Sequence, residues 1–428
     1  MVKTGSKIER IELFHVDVSL PTPFFPAWVP GYPQSKQRAT LLRVTTHDGL
    51  VGHATGAAFE REREGLGDFV GPFLLGLDAC DVEAAAERLR QASYLGWNNS
   101  WMEIAFWDIA SKAKGVPLWK LIAEQSGRAF KGSVEPLMAY ASFGEVRSAQ
   151  VRAEAIERAM RTGFRAAKLP SGARDETEDR ARLALARDVA GPTFGLMAHA
   201  YQSSTVSLVE EIPTWERDRA RRTADQLTSL GYLWLQDPLR LDPFDGLAGL
   251  GAEMSIPLAG GDIASRDLLP GLIARRDYGV LTPDVTFAGL LTVTKLLGRA
   301  IDGGLGFSPR SYGDGISLLA NLHALAAYSA MDATRPAWVE LPWEPPAIIP
   351  EYRDALLSEP VSVTSHGTVL VPEGPGLGVE IDPRSLRRYA QRFFTLTPVR
   401  FVVSSARRAG LKQTAVFARK EPHLTEVG

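Results

Sequence analysis

The sequence predicts an α/β fold in which a closed barrel of parallel strands and helices follows a smaller α+β region. From about residue 136 onward, eight short apolar runs alternate with longer segments, several of helical periodicity, as in a parallel sheet with crossover helices. Eight such strands without a glycine-rich nucleotide fingerprint favour a closed barrel, and a doubly wound open sheet is the alternative. The strands are predicted at residues 137–141, 166–169, 195–200, 233–236, 257–259, 279–281, 306–309 and 338–341. Helices are predicted at residues 145–162, 175–189, 215–231 and 290–303.

The N-terminal region predicts a small antiparallel meander. Apolar residues alternate over 7–18 with one slip in phase, and a second run covers 39–46. A hairpin signal, His47-Asp48-Gly49, precedes a third run. The proline-rich segment 21–33 between the first two strands predicts a loop. Its aromatic residues, including Phe24 and Trp28, either line a ligand pocket or pack the loop onto the body.

Composition excludes several classes of function. The 428 residues allow two or three domains, and 48 Lys and Arg against 50 Asp and Glu argue against a nucleic-acid or anionic-membrane partner. A single cysteine, Cys80, excludes an intrachain disulfide and a thiolate-rich zinc site. No apolar run of eighteen residues and no basic start followed by an apolar block occur, so we expect a cytoplasmic protein with neither membrane span nor signal peptide.

In a barrel of this kind the chemistry lies at the carboxyl ends of the strands. Of the seven histidines, His199 is the one that ends a predicted strand. The full set of polar residues at these positions is Lys168, His199, Gln236, Asp262, Asp284, Arg310 and Glu340.

Seven short motifs in this order resemble the mandelate racemase/muconate lactonizing branch of the enolase superfamily over roughly residues 5–395. The motifs are residues 103–112 followed by 115–118, then 163–169, 196–202, 234–238, 257–262, 283–285 and 374–380. This resemblance implies a modified (β/α)7β TIM-type barrel with an α+β capping domain. It implies a cap at residues 1–134, a barrel at 135–345, a segment at 346–395 that returns to the cap, and an extra tail at 396–428.

The resemblance also bears on partners. It implies that the chain forms a homo-oligomer and binds a small anionic substrate. The basic tail is interpreted as a solvated face or an oligomer contact.

The resemblance implies proton removal next to a carboxylate, assisted by Mg²⁺ on three carboxylates. Those ligand positions fall on His199, Gln236 and Asp262, which is a poor donor set for Mg²⁺. Three interpretations of His199 are open: a ligand of a softer ion together with Asp262, a cation or proton carrier that replaces the metal, or a hydrogen-bonded histidine in a vacated site. Asp237 is expected to point away from the interior, because neighbours on a strand face opposite sides.

The acid and base positions also depart from the family pattern. The family's Lys-x-Lys pair reads Lys168-Leu-Pro170 here, and Arg310 stands where a histidine paired with Asp284 is expected. Arginine is a poor base but a good carboxylate clamp. We expect Lys168 and Arg310 to hold an anionic substrate or intermediate. Glu340 either hydrogen-bonds the substrate carboxylate or forms a salt bridge to a barrel cation.

The sequence thus predicts a lyase or isomerase, of racemase, dehydratase or cycloisomerase type, that abstracts an α-proton from a small organic acid or related carbonyl compound. We expect His199 or Asp284 to move the proton and Tyr201 or Tyr312 to act as an acid. Mg²⁺ dependence is predicted to be altered or lost. The alternatives are a non-catalytic small-molecule-binding protein and a conventional Mg²⁺-dependent racemase or dehydratase.

Overall fold

An antiparallel sheet and four helices form the N-terminal part of the protein. The structure is a computed structural model that describes residues 6–172, 175–241, 247, 249–331 and 337–420. The elements of this part are β1 (Ile8–Phe24), β2 (Gln34–Thr46), β3 (Val51–Ala57), α1 (Leu66–Leu74), α2 (Val82–Ser93), α3 (Glu103–Lys114) and α4 (Leu118–Gln125). The predicted meander is confirmed, and β1 extends into the proline-rich segment as far as Phe24.

Eight parallel strands build the larger part. They are β4 (Leu137–Ser142), β5 (Ala166–Pro170), β6 (Gly195–His199), β7 (Leu235–Gln236), β8 (Leu258–Gly260), β9 (Val280–Leu281), β10 (Gly306–Phe307) and β11 (Trp338–Pro342). Hydrogen-bonded neighbours run from β10 through β4 to β11. The Ser308 hydroxyl, directly after β10, donates to the Trp338 carbonyl of β11 at 2.9 Å. The two ends of the sheet therefore meet, which confirms the predicted barrel and excludes the open sheet.

Helices alternate with these strands as the sequence predicts. They are α5 (Ala149–Thr162), α6 (Glu176–Ala190), α7 (Arg217–Ser229), α8 (Leu250–Glu253), α9 (Leu269–Arg275), α10 (Val285–Ala288), α11 (Leu290–Asp302) and α12 (Gly315–Met331). The predicted helix at 145–162 starts later because Ser148 caps it by accepting the N–H of Val151.

The C-terminal part returns to the N-terminal sheet. Its elements are α13 (Pro350–Arg353), β12 (Thr368–Val369), α14 (Pro383–Tyr389), β13 (Ala390–Leu396) and α15 (Pro398–Lys420), the last interrupted by non-helical backbone at Gly410. β13 pairs with β1 and makes the sheet order β13-β1-β2-β3. The register of this pair shifts between Leu13 and Phe14, where the sequence shows its slip in phase. An ion pair of 2.8 Å joins Arg408 of α15 to Asp68 of α1.

The N-terminal sheet covers the carboxyl ends of the barrel strands. The N–H of Ala27 donates to the carbonyl of Gly144 at 2.8 Å, and the amide of Gln37 donates to the carbonyl of Gly313 at 3.1 Å. Deeper in the barrel, side chains in or directly beside the successive strands β4 to β8 pack into an apolar layer of Tyr140, Ala166, Met197, Trp234 and Ala259. The polar strand-end residues lie above this layer and below the covering sheet. In the described part of the chain, no helix combines the length and the apolar character needed to cross a bilayer.

Candidate active site

One cavity at the strand ends is lined by five of the predicted residues, His199, Asp262, Asp284, Arg310 and Glu340. Lys168 and Gln236 do not line it but contact two of these residues, Glu340 and Asp262. Lys168, His199, Gln236, Asp262 and Glu340 are all at most 2% exposed. A cavity of about 220 Å³ opens above them. Its lining includes Trp28, His199, Tyr201, Asp262, Asp284, Phe287, Arg310, Tyr312 and Glu340.

Lys168 of β5 and Glu340 of β11 form a buried ion pair past β4, the strand between them. The Lys168 ammonium lies 2.7 Å from the Glu340 carboxylate and also donates to the amide oxygen of Gln236 at 2.9 Å. Glu340 accepts two further hydrogen bonds, from the Ser142 hydroxyl at 2.6 Å and the Ser311 N–H at 2.8 Å. Burial opposes the ionisation of both partners, but their mutual attraction outweighs it, so the pKa of Glu340 is lowered and the pKa of Lys168 is raised. Of the two interpretations of Glu340, the salt bridge is the one observed.

Arg310 and Asp284 form a second pair at the wall of the cavity. The guanidinium donates to Asp284 at 2.9 Å. The other Asp284 oxygen caps α10 through the Thr286 N–H at 2.9 Å and accepts from Asn321 at 3.1 Å. Burial opposes the charge of Arg310, yet the carboxylates of Asp284 and Asp262 outweigh this cost and raise its pKa. A fixed cation therefore occupies the position where the family pattern has a histidine.

Gln236 does not point a free oxygen at the position of a metal. Its amide oxygen accepts from Lys168 and its amide nitrogen donates to Asp262 Oδ1 at 2.6 Å. This side chain connects the ion pair with the Asp262 carboxylate. The Gln236 amide thus holds the Lys168 ammonium and the Asp262 carboxylate in place and does not offer a third ligand atom.

The expectation that Asp237 points away from the interior is wrong. Asp237 has φ of +46° and follows β7, which ends at Gln236. The alternation of faces holds only while the backbone stays extended, and the left-handed conformation turns the carboxylate inward. Asp237 Oδ2 lies 3.3 Å from His199 Nε2. Aspartate is among the residues that tolerate this conformation, and this tolerance is the one signal that sequence offers.

Three buried donor atoms converge at the end of β6. His199 Nε2 lies 3.3 Å from Asp237 Oδ2 and 3.8 Å from Asp262 Oδ2, and the three residues each offer a ligand atom within 4.8 Å of the other two. Within the described residues, His199 Nε2 and the two Oδ2 atoms have no hydrogen-bond partner. Burial lowers the pKa of His199 to about 3, which leaves the imidazole neutral and able to bind a metal through Nε2. Burial also raises the pKa of Asp237 and of Asp262 to about 6.

This donor set fits a divalent cation. An imidazole nitrogen and two carboxylate oxygens are ordinary protein ligands of such ions. A dication among them would satisfy three buried polar atoms that otherwise carry the cost of lost hydration. Of the three predicted ligand positions, His199 and Asp262 belong to this set, and Asp237 takes the place expected for Gln236.

Aromatic side chains cover the site. The ring of Tyr201 stacks on His199 with centroids 3.6 Å apart, and Trp28 contacts Tyr312 at 4.8 Å and Tyr201 at 5.9 Å between centroids. Phe24 supports Tyr312 from behind at 6.1 Å and lines a neighbouring outer cavity of about 440 Å³ rather than the inner one. The proline-rich segment therefore does both things considered from sequence: Trp28 covers the cavity and Phe24 packs. Burial raises the pKa of Tyr201 and of Tyr312, so both hydroxyls stay protonated.

The fold and the strand-end site define a member of the enolase superfamily. The model of the enolase C-terminal domain-like family matches residues 150–385, and the model of the mandelate racemase/muconate lactonizing enzyme N-terminal domain matches residues 10–123. The chain therefore belongs to the mandelate racemase/muconate lactonizing enzyme family.

Its relatives include D-galactarolactone cycloisomerase of Agrobacterium fabrum, 27% identical over 90% of this chain and 98% of that protein. Arabinonate dehydratase of Saccharolobus solfataricus is 24% identical over 82% of this chain and 91% of that protein. The crystal structure of L-talarate/galactarate dehydratase from Salmonella typhimurium superposes with a TM-score of 0.74 at 22% identity, over 92% of this chain and 94% of that chain. These comparisons support the predicted lyase or isomerase kind. They give no support to lost metal dependence, and the conventional metal-dependent alternative fits them better.

Proposed function

We propose that this protein is a divalent-metal-dependent lyase or isomerase that removes the α-proton of a small hydroxylated carboxylate. The observation that carries the proposal is the convergence of three donor atoms, on His199, Asp237 and Asp262, that have no hydrogen-bond partner among the described residues and lie near the cations Lys168 and Arg310. The activities for which the relatives are named favour a sugar acid or its lactone as the substrate class. One solved structure of L-talarate/galactarate dehydratase is liganded with Mg and L-lyxarohydroxamate.

The charges of the site suit an enolate-like intermediate. A metal held by His199, Asp237 and Asp262 would stabilise the negative charge that develops on the substrate carboxylate when the α-proton leaves. Arg310 adds fixed positive charge at the wall of the cavity. Lys168 does not line the cavity itself, but its ammonium is paired with Glu340, which does. Because Lys168 is held in place by Glu340 and Gln236, it needs little reorganisation during the reaction, and this is the condition under which electrostatic stabilisation is strongest.

Proton transfer requires a group other than the two bases of the family pattern. Pro170 and Arg310 occupy those positions, and neither can accept a proton at working pH. Asp284 lines the cavity with an oxygen that faces Arg310, and we assign it as the proton acceptor. The hydroxyl of Tyr201, whose pKa is raised by burial, is the donor that would protonate a leaving hydroxyl or the product carbon.

A binding protein without turnover is the second candidate. The observation in its favour is the replacement of both family bases. Such a protein would use the same cations and metal to hold a carboxylate and would lack a group that accepts the α-proton.

The test is hydrogen exchange at the α-carbon. Metal-stripped protein is incubated in D2O with aldonates, aldarates and their lactones, and Mg²⁺, Mn²⁺ or a chelator is added to separate samples. NMR then measures the incorporation of deuterium at the α-carbon of each compound. We expect exchange or dehydration that requires a divalent ion and disappears in Asp284→Asn. Lys114→Met, at a surface lysine on α3, is the control that should keep the wild-type rate. Ligand binding with no exchange under any condition would instead establish the binding protein, and exchange that persists in chelator would refute metal dependence.

A further inference from the structure

We infer that the site formed by His199, Asp237 and Asp262 selects a transition metal of the Mn²⁺ to Zn²⁺ series over Mg²⁺. The proposal names the ion for the function proposed above and rests on it. The imidazole nitrogen in the donor set favours such an ion. Mg²⁺ prefers an octahedral shell of oxygen ligands and gives up its waters reluctantly, whereas an imidazole nitrogen favours the later divalent ions of the first transition row.

The two carboxylates present one free oxygen each to the site. Asp262 Oδ1 accepts from the Gln236 amide at 2.6 Å and from the Thr282 hydroxyl, while no described residue donates a hydrogen bond to its Oδ2. Asp237 Oδ1 accepts from the Tyr278 hydroxyl and the Gly261 N–H, both at 3.4 Å, and its Oδ2 likewise accepts no hydrogen bond from the described part of the chain. Hydrogen bonds of this kind orient metal ligands and fix which oxygen can bind. The arrangement supplies two monodentate carboxylate oxygens and one nitrogen.

The backbone around β7 and β8 makes room for this arrangement. Asp237 reaches inward through its left-handed conformation, and Gly260 lies opposite it. A Cβ at Gly260 would lie 2.7 Å from Asp237 Oδ1 and 2.3 Å from the Tyr278 ring. Only glycine at position 260 therefore allows Tyr278 and Asp237 to hold their hydrogen bond.

The distances between donors suit a small coordination shell. Zinc ligands at about 2.0–2.2 Å from the ion in tetrahedral geometry lie about 3.3–3.6 Å apart. The two separations from His199 Nε2, 3.3 Å and 3.8 Å, require a shift of a few tenths of an ångström at most. The regular octahedron of Mg²⁺, with bonds of about 2.0–2.1 Å, needs neighbouring donors about 2.9 Å apart.

No side-chain cation of the described residues fills this position. The Lys168 ammonium is held by Glu340 and Gln236, and the Arg310 Nε stays 3.8 Å from Asp262 Oδ2 because its guanidinium is paired with Asp284. Neither cation therefore forms a close ion pair with Asp262 Oδ2, and a dication at this position would compensate the charge of Asp237 and Asp262.

Metal binding is measured without substrate, so its outcome is separate from that of the exchange assay. Chelator-treated full-length protein is titrated by calorimetry with Mg²⁺, Mn²⁺ and Zn²⁺, and Co²⁺ binding is followed by visible absorption. We expect Zn²⁺ to bind at least about 100-fold more tightly than Mg²⁺, and the affinity for Mn²⁺ to lie between the two. His199→Asp should reduce the ratio of the Zn²⁺ and Mg²⁺ affinities by at least about tenfold. Thr282→Val should reduce the affinity for every ion by about 10- to 100-fold.

Two further variants complete the design. Asp237→Asn, which keeps the shape of the side chain, should weaken the binding of Mn²⁺ and Zn²⁺, and the exposed His47→Ala is the matched control for adventitious binding at histidine. Equal affinity for Mg²⁺ and Mn²⁺, unchanged affinities in Asp237→Asn, or no bound ion would each overturn the inference. In those cases α-proton exchange with Mg²⁺, or with chelator, would still report on the catalytic proposal.

Discussion

Lys168→Met separates the structural role of the buried ion pair from its catalytic role. The substitution leaves Glu340, which is 2% exposed, with two hydrogen-bond donors and no cation. Removing one partner of a buried ion pair costs about 3–5 kcal/mol of unfolding free energy. Because the Ser142 hydroxyl and the Ser311 N–H still solvate the carboxylate, we expect a loss near the lower end, about 3 kcal/mol.

The double variant Lys168→Met/Glu340→Gln tests whether the uncompensated charge of Glu340 causes the loss of stability. It removes the uncompensated charge, so most of the lost stability should return, while catalysis should stay reduced by about 100- to 1,000-fold in kcat because the positive charge is still missing. Urea unfolding measures the first quantity and α-proton exchange in D2O the second. A single variant that loses less than about 1 kcal/mol would refute the reasoning on the buried pair. Activity restored in the double variant would refute the catalytic role of Lys168.

Three further predictions concern pH, the cover of the cavity and the glycine beside the metal site. Buried His323 accepts a backbone N–H and contacts a backbone carbonyl, and burial lowers its pKa to about 4 from about 6.5. The neutral His323 therefore makes its full contribution to the free energy of unfolding above pH 6.5. As the pH is lowered from 6.5 to about 4, this contribution decreases by about 3 kcal/mol in all. Urea unfolding between pH 7 and pH 4 should therefore show that the free energy of unfolding decreases more steeply in the wild type than in His323→Gln. The same pH dependence in both proteins would contradict this prediction. Trp28→Ala should raise KM more than it lowers kcat, because it opens the cavity and leaves the charged groups in place; a kcat effect alone would contradict this. Gly260→Ala should cost about 1–3 kcal/mol through overpacking and weaken metal binding measured by calorimetry, and wild-type affinity would contradict the close approach.

The barrel could be predicted because each of its strands is a short apolar run followed by a longer segment with helical spacing. β7 illustrates where such a prediction loses detail. The run at 233–236 is apolar throughout most of its length, but only Leu235 and Gln236 pair as a strand. Strand ends depend on which backbone groups find partners in neighbouring strands, and this information is not contained in a local pattern.

The candidate site could be predicted in outline for a topological reason. Carboxyl ends of parallel strands meet at one face, so His199, Asp262, Asp284, Arg310 and Glu340 were expected to share a cavity, and all five line it. Asp237 was excluded by the rule of alternating faces. That rule fails where φ becomes positive, and a single dihedral angle cannot be read from residue types.

The sequence by itself determined which chemical groups stand at the strand ends: a histidine and an amide at two positions where the family pattern has carboxylates, and a proline and an arginine where it has bases. The tertiary structure alone decided which atoms of these groups remain available. The Gln236 amide is hydrogen-bonded to Lys168 and Asp262, while His199, Asp237 and Asp262 each keep one buried atom that makes no hydrogen bond to a described residue. The physical reason is that pairing depends on distances and directions among strands far apart in the chain, and these exist only once the barrel has closed.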